Sequence, residues 1–324
     1  MDHPRRDILG IGIAAVDDIL TVEKYPPVDA KVPVLESRRQ GGGLTCTAVA
    51  AAVTLGARGA FVGHFGTDDG SRYLQEILKS RGVDVSATIR DAAAGPYHSR
   101  IIIDRSNGRR TIFHDGSCFK PVAADEISAE LLATARVLLT DATAAPGPVD
   151  LATKARQNGT VVVLDVESQD RQFEPLLRQV DHLVVPAEFA RLQTGEDDIP
   201  SACATLAALP RTAVVVTAGG DGCWWADANT RRPIHRAAFT VEAVDTNGCG
   251  DTFHGAYGLA VARGLTIAEA VAFASACGAL KAGSSCGGWD ALPAMSQAIA
   301  LLRQRLCPSD PLLAMFSKLL GPNA

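Results

Sequence analysis

The sequence predicts a doubly wound α/β body with a mostly parallel sheet and a small β lid. Three observations carry this. From residue 116 onward, strand-like runs at 137–140, 161–165, 182–185 and 213–217 alternate with helical stretches at 148–158, 187–194 and 199–208. Aromatics are few at 5%, and Ala, Val, Leu and Gly dominate a chain that is 47% hydrophobic. That composition suits a parallel sheet covered by small-residue helices. Residues 19–38 and 95–114 instead show period-2 patterns, the mark of a separate sheet.

The bulk properties narrow the function classes. A length of 324 residues fits one large domain, or a domain with a small accessory lid. Net charge is -5 with acids and bases interspersed, and no basic stripe supports nucleic-acid binding. The first seven residues lack the apolar core of a signal peptide, and no apolar run reaches membrane-spanning length. Eight cysteines are scattered without a C-x-x-C or a His/Cys cluster. Reduced thiols in a cytoplasmic protein, and no structural zinc, are expected.

Taken in order, residues 7–16 read as a buried strand containing G-x-G-x-x-A, a weak dinucleotide fingerprint. That fingerprint requires a helix directly afterwards. Residues 16–23 alternate polar and apolar instead, and Pro26-Pro27 ends any helix option. Asp17 follows the strand, and on its position alone it reads as a solvated loop acid. Gly41-Gly42-Gly43 opens a helix over 45–55, as a flexible turn or as a close approach to a ligand. Around Ser106-Asn107-Gly108, the runs 100–104 and 110–114 form a hairpin. Its Arg109 and Arg110 read as solvated hairpin arginines, and His98 and His114 are potential substrate contacts. Asp141, Asp165 and Glu167 fall at strand ends, where ligands of α/β sheets bind and where caps also occur. The terminal stretch 309–324 reads as a helix.

Asp245-Thr246-Asn247-Gly248-Cys249-Gly250-Asp251 is the stretch the chain is organised around. A β-branched, apolar run (239–244) precedes it, and a helical pattern over 252–263 follows, closed by Gly264. The turn therefore ends on a helix N-terminus. Gly248, Cys249 and Gly250 allow close backbone approach, and N–H groups backed by the helix dipole suit a phosphate oxygen. Asp251 at the lip is either the N-cap or a base that accepts a proton from an attacking hydroxyl.

This stretch resembles the DTxGAGD signature of the ribokinase (PfkB) sugar-kinase family, with Cys249 in the Ala position. Gly42-Gly43 followed by Leu55-Gly56-Ala57 and the stretch 62–70 resembles the family's double-glycine signature. The stretch 214–222 resembles its nucleotide-side V-T-x-G-x-x-G turn. The three matches come in the family's order and span most of the chain. The closing motifs are most similar to ketohexokinase and fructokinase-like members.

The resemblance implies a ribokinase-like three-layer αβα sandwich, one domain over 1–324, with lid insertions at about 17–38 and 95–115. It implies an ATP-dependent kinase acting on a small sugar, with a ketohexose or fructose favoured and a 2-keto-3-deoxy sugar acid or a nucleoside open. Asp251 becomes the base, and the amides of Gly248, Cys249 and Gly250 stabilise the transferred phosphoryl group. Asp17, Gly42, Gly43, Thr47 and Arg110 face the sugar. Thr217, Gly219, Gly220, Gly222, Asn247, Gly248, Ala279 and Gly283, with the segment around Ala276 and Lys281, form the nucleotide side. Asp245, Ser285 and Gly287 imply a monovalent cation such as K⁺, and Glu188 a role with Mg²⁺. An exposed lid face implies a homodimer. Two departures stand out. Thr47 occupies a position where sugar-binding members commonly carry Asn, and Ala187 and Ala190 replace an N-x-x-E pair. No Walker A lysine motif is present, which excludes P-loop chemistry. Two alternatives remain: a non-catalytic sugar or nucleotide sensor on the same fold, and a dinucleotide oxidoreductase resting on residues 10–15.

Overall fold

Alternation explains why the middles of the central strands are apolar on both faces. Val214 and Val216 enter one core and Val215 the other. The same split separates Leu138 from Val137 and Leu139, and Val162 and Leu164 from Val163. Each strand buries both faces, so neither face can be polar. The computed structural model describes residues 5–107, 109–142, 147–166, 174–209, 211–228, 232–307 and 309–320. Glu167 and Gly108 lie outside the described residues.

In chain order the first half contains β1 (Arg6–Ile11), β2 (Ala15–Val22), β3 (Glu36–Gly42), α1 (Leu44–Thr54), β4 (Gly59–Val62), β5 (His64–Phe65), α2 (Asp69–Ser80), β6 (Ile89–Arg90), β7 (Tyr97–Asp104) and β8 (Arg109–Asp115). Then come α3 (Ala129–Ala133), β9 (Ala135–Asp141), α4 (Gly147–Gln157), β10 (Val161–Asp165), α5 (Glu174–Leu177), β11 (His182–Pro186), α6 (Ala187–Thr194), α7 (Ile199–Ala207) and β12 (Ala213–Thr217). The last part holds β13 (Cys223–Asp227), β14 (Ile234–Arg236), α8 (Cys249–Ala262), α9 (Ile267–Ala282), α10 (Met295–Arg305) and α11 (Met315–Leu320).

The large sheet runs β14-β13-β12-β11-β10-β9-β1-β4, parallel from β4 to β12 with two antiparallel strands at the far edge. Helices α1, α8, α9 and α10 cover one face, through residues such as Val49, Tyr257, Phe273 and Leu302. Helices α4, α6 and α7 cover the other through Leu151, Phe189 and Leu206. The result is an α/β sandwich with three layers. The smaller sheet, β3-β2-β7-β8, draws its strands from the two period-2 segments. Among the described residues, no helix is long and apolar enough to cross a membrane.

The structure corrects four local readings. The strand expected over 7–16 breaks after Ile11, and the chain crosses into the smaller sheet at Ala15. Gly12 sits at the break because a Cβ there would lie 2.3 Å from both Asp141 Oδ2 and Thr45 Oγ1. A strand, not a helix, follows the G-x-G-x-x-A stretch, so the oxidoreductase alternative loses its structural condition. Gly41 and Gly42 belong to β3, paired with Val16 and Ala15; only Gly43 turns, with φ +87°. Residues 239–244 form no strand. Their end instead satisfies the C-terminus of α9, the Val244 and Asp245 N–H groups both donating to the Ala282 carbonyl. The expected terminal helix is a 3₁₀ turn, Pro311–Ala314, followed by α11, pinned by the buried Met315 and Leu319.

Candidate active site

A cleft of about 730 Å³ lies between the smaller sheet and the start of α8. Register explains its polar roof. Asp17 pairs with Gln40 on β3 and with Ser99 on β7, and Ser99 pairs with His114 on β8. Gln40, Asp17, Ser99 and His114 thus form one cross-strand row, and all four line the cleft. On β8 the period of two puts Arg110, Ile112 and His114 on the cleft side.

Asp17 and Asp18 show what that period does to two adjacent acids. Asp18 points away and bonds Arg39 (2.7 Å) and His98 (2.6 Å). Its carboxyl is held below the usual value by the Arg39 hydrogen bond. His98 therefore serves the outer face, whereas His114 lines the cleft. Burial raises the Asp17 carboxyl above the usual value, opposed by hydrogen bonds with Ser99 and Gln40. Gly42 leaves that carboxylate room, since a Cβ there would lie 2.3 Å from Asp17 Oδ2. Gly42→Ala suits a strand backbone yet forces Asp17 aside. We expect kcat/KM for the sugar to fall about ten- to a hundredfold with an unchanged circular dichroism spectrum. Unaltered kinetics would show that the Asp17 position is not critical.

The cleft floor is made where two helices begin. Gly255 of α8 packs on α1 so tightly that a Cβ would lie 2.1 Å from the Ala48 carbonyl oxygen. This brings the turn before α8 against Thr47, which is buried and accepts a hydrogen bond from Trp289 Nε1 (3.0 Å). Gly248 is the N-cap of α8, in the left-handed region at φ 74°, with no side-chain cap. Asp251 is the third residue of the helix, so the N-cap reading of Asp251 is set aside. Its carboxylate, Thr47 and Lys281 all approach Gly248, each within 3.9 Å of where a Cβ would be.

One expected donor is turned inward. The Cys249 N–H donates to the Thr246 carbonyl (3.3 Å). Helix geometry places the Gly250 and Asp251 N–H groups in the first turn of α8, at the positive end of the dipole. Burial pushes the Cys249 thiol up to about 11, so it carries little thiolate at neutral pH and is no ready nucleophile.

Two acids at strand ends have distinct surroundings. Asp141 Oδ2 accepts from the Ile13 N–H and the Thr45 hydroxyl (2.6 Å each), tying β9 to the crossing into the smaller sheet. Asp165 lines the cleft beside His254, with Oδ2 and Nδ1 3.3 Å apart. The His254 ring also meets the Gly250 and Val184 carbonyls at 2.9 and 2.8 Å. Both ring nitrogens thus lie against oxygen atoms of β10, β11 and α8. His254 joins β10, β11 and the first turn of α8.

Several expected residues lie elsewhere. Thr217 ends β12, Gly219, Gly220 and Gly222 form the turn after it, and Ala279 and Gly283 lie at the end of α9; none of them lines this cleft. The start of β13, directly after that turn, meets α9 through Cys223 and Ser275 (3.9 Å). Glu188 is exposed on the first turn of α6 and outside the cleft, and no cluster of three or more His, Cys, Asp or Glu suits a metal among the described residues. Asp165, at the end of β10, does line the cleft.

The residues do not fit a bound monovalent cation. Asp245 Oδ1 accepts the Asn247 N–H (2.9 Å), while Oδ2 lies 3.7 Å from Lys281 Nζ and 3.9 Å from an Arg38 guanidinium nitrogen. That guanidinium fills the space over Gly287, where a Cβ would lie 1.8 Å from it, and Ser285 is exposed. Two protein cations repel an ion that needs the same oxygen. Gln40, Ser99, Trp289, Arg38 and Lys281 were not assigned these contacts from sequence, because cross-strand register and helix packing create them.

Comparison with known proteins agrees with this geometry. The model of the pfkB family of carbohydrate kinases matches residues 5–290. Ketohexokinase of Mus musculus is 25% identical over 304 residues, covering 89% of this chain and 99% of that protein. An ATP-dependent ribose-1-phosphate kinase of Halopiger xanaduensis is 26% identical over 305 residues, covering 92% and 98%. The structure of Arabidopsis thaliana ribokinase complexed with ribose and ATP superposes with a TM-score of 0.81 at 22% identity, over 92% of this chain and 99% of that one. With the family model matched over most of its length, this chain belongs to the pfkB family of carbohydrate kinases.

Proposed function

We propose that this sugar kinase transfers the γ-phosphoryl group of ATP to a hydroxyl of a ketohexose or fructose-like sugar. One observation carries the reading: Asp251, on the first turn of α8, shares a single cleft with the row Gln40, Asp17, Ser99 and His114. Asp17 accepts two sugar hydroxyls, steadied by Gln40 and Ser99. Asp251 takes the proton of the attacking hydroxyl. The Gly250 and Asp251 amides stabilise charge on the transferring group, with the α8 dipole behind them. Arg110 and His114 close the lid side and help exclude water. The turn 217–222 and the end of α9 support the nucleoside part of ATP. A magnesium ion bound with the nucleotide would offset phosphate charge, held by phosphate oxygens, water and Asp165.

We read the chain as one domain carrying the smaller sheet as its lid. The lid's outer strand exposes Phe113 on its surface, which supports a homodimer through this face. Eight free cysteines, four of them buried, support the cytoplasm as working compartment.

The test is ADP release with Mg-ATP across ketohexoses, aldoses, 2-keto-3-deoxy sugar acids and nucleosides. The reading expects a ketohexose to give the highest kcat/KM. Turnover confined to nucleosides would overturn it, as would nucleotide and sugar binding without turnover.

A further inference from the structure

We propose that Lys281 is a tethered cation that supplies positive charge beneath the phosphate-binding turn, in place of a bound monovalent ion. The proposal rests on the kinase reading above. It predicts an enzyme that works without potassium.

Lys281 lies in the last turn of α9 and is 1% exposed. A lysine so deeply buried is ordinarily paired and hydrogen-bonded. Its Nζ has no hydrogen-bond partner among the described residues. The nearest carboxylate, Asp245, stands 3.7 Å away, beyond hydrogen-bond reach. The negative end of the α9 dipole favours a cation here without using its donors. Three N–H donors therefore remain unspent at the base of the turn.

What they face is the anion site. Lys281 Cε lies 3.9 Å from where a Cβ on Gly248 would be, and the residue lines the cleft. The other charged groups around it are Asp245 in the turn, Asp251 on α8 and Arg38 on β3. Arg38 shares Asp245, so the carboxylate is already flanked by two cations and an added potassium ion has no place. A fixed ammonium strengthens the anion site without the ordering cost of recruiting an ion. Lys281 is thus a positioning residue, acting through the turn that touches phosphate.

The test uses the full-length protein in chloride salts of tetramethylammonium, sodium and potassium. Wild-type Mg-ATP affinity by calorimetry, and turnover with the best acceptor, should agree within about twofold across the three salts. Lys281→Met should lose about tenfold in Mg-ATP affinity and about a hundredfold in kcat in tetramethylammonium. Potassium or ammonium should then restore at least about tenfold of the loss, which a merely structural lysine would not permit. Lys281→Arg should keep cation independence. Potassium-dependent nucleotide binding by the wild type would overturn the proposal alone, as would Lys281→Met with full activity in tetramethylammonium. A wild type that binds no Mg-ATP in any salt would overturn the kinase reading itself. The wild-type salt series stands even if the methionine variant does not fold.

Discussion

Asp251→Asn should lower sugar-dependent phosphoryl transfer by about 10²- to 10⁴-fold, roughly 3–5 kcal/mol of transition-state stabilisation. The dissociation constants for sugar and Mg-ATP should change little. Asp251 is not the cap of α8, since Gly248 holds that position in the left-handed region without a side-chain bond. The amide variant therefore keeps the helix start, the first-turn N–H groups and the shape of the cleft. What it loses is the capacity to accept a proton. Single-turnover kinetics with calorimetric binding separates these effects. An Asn variant with near wild-type turnover would remove the base from the scheme. One that no longer binds either ligand would make Asp251 a binding residue.

Asp17→Asn should cut kcat/KM for the sugar by about a hundredfold, chiefly through KM. Charged hydrogen bonds to hydroxyls contribute about 1.5–3 kcal/mol each, and an amide replaces an acceptor oxygen with a donor. The same variant should be more stable without ligand. Burial raises the folded Asp17 carboxyl above its unfolded value, so the folded state resists ionising it. The penalty is absent well below the unfolded value, grows as pH rises through it, and is complete above the folded value. Asp17→Asn should therefore melt higher than wild type near about pH 7, with the gap closing toward about pH 3. Thermal melts at the two pH values check this. A lower melting point near neutrality would mean that the carboxylate holds the lid together instead of waiting for a ligand.

Much of this was legible because local chemistry and tertiary structure agree. The runs 161–165 and 213–217 are strands with those bounds, and Gly264 ends α8 with φ +72°. The glycine-rich turn before α8 could be placed from sequence because a helix start and small residues are local signals. The missed features depend on distant partners. Asp17 could be singled out as a ligand, but Gln40 and Ser99 beside it follow from register between strands far apart in the chain. The break at Gly12 depends on Asp141, and the non-strand path of 239–244 on the open end of α9. The edge strands β13 and β14 are short and were not separable from loop. Lys281 sits in a run of small residues, where nothing local distinguishes a buried ammonium from a surface lysine. The contacts of Asp245 are equally non-local, since Arg38 reaches it from the smaller sheet.

The most direct test of the central claim follows the phosphoryl group itself. Wild type and Asp251→Asn would be incubated with Mg-ATP labelled in its γ-phosphoryl group and the best acceptor from the panel. Label should move to one sugar hydroxyl in wild type, and about 10²-fold or more slowly in the variant. Label found only in inorganic phosphate, or transfer at equal rates by both proteins, would contradict the account.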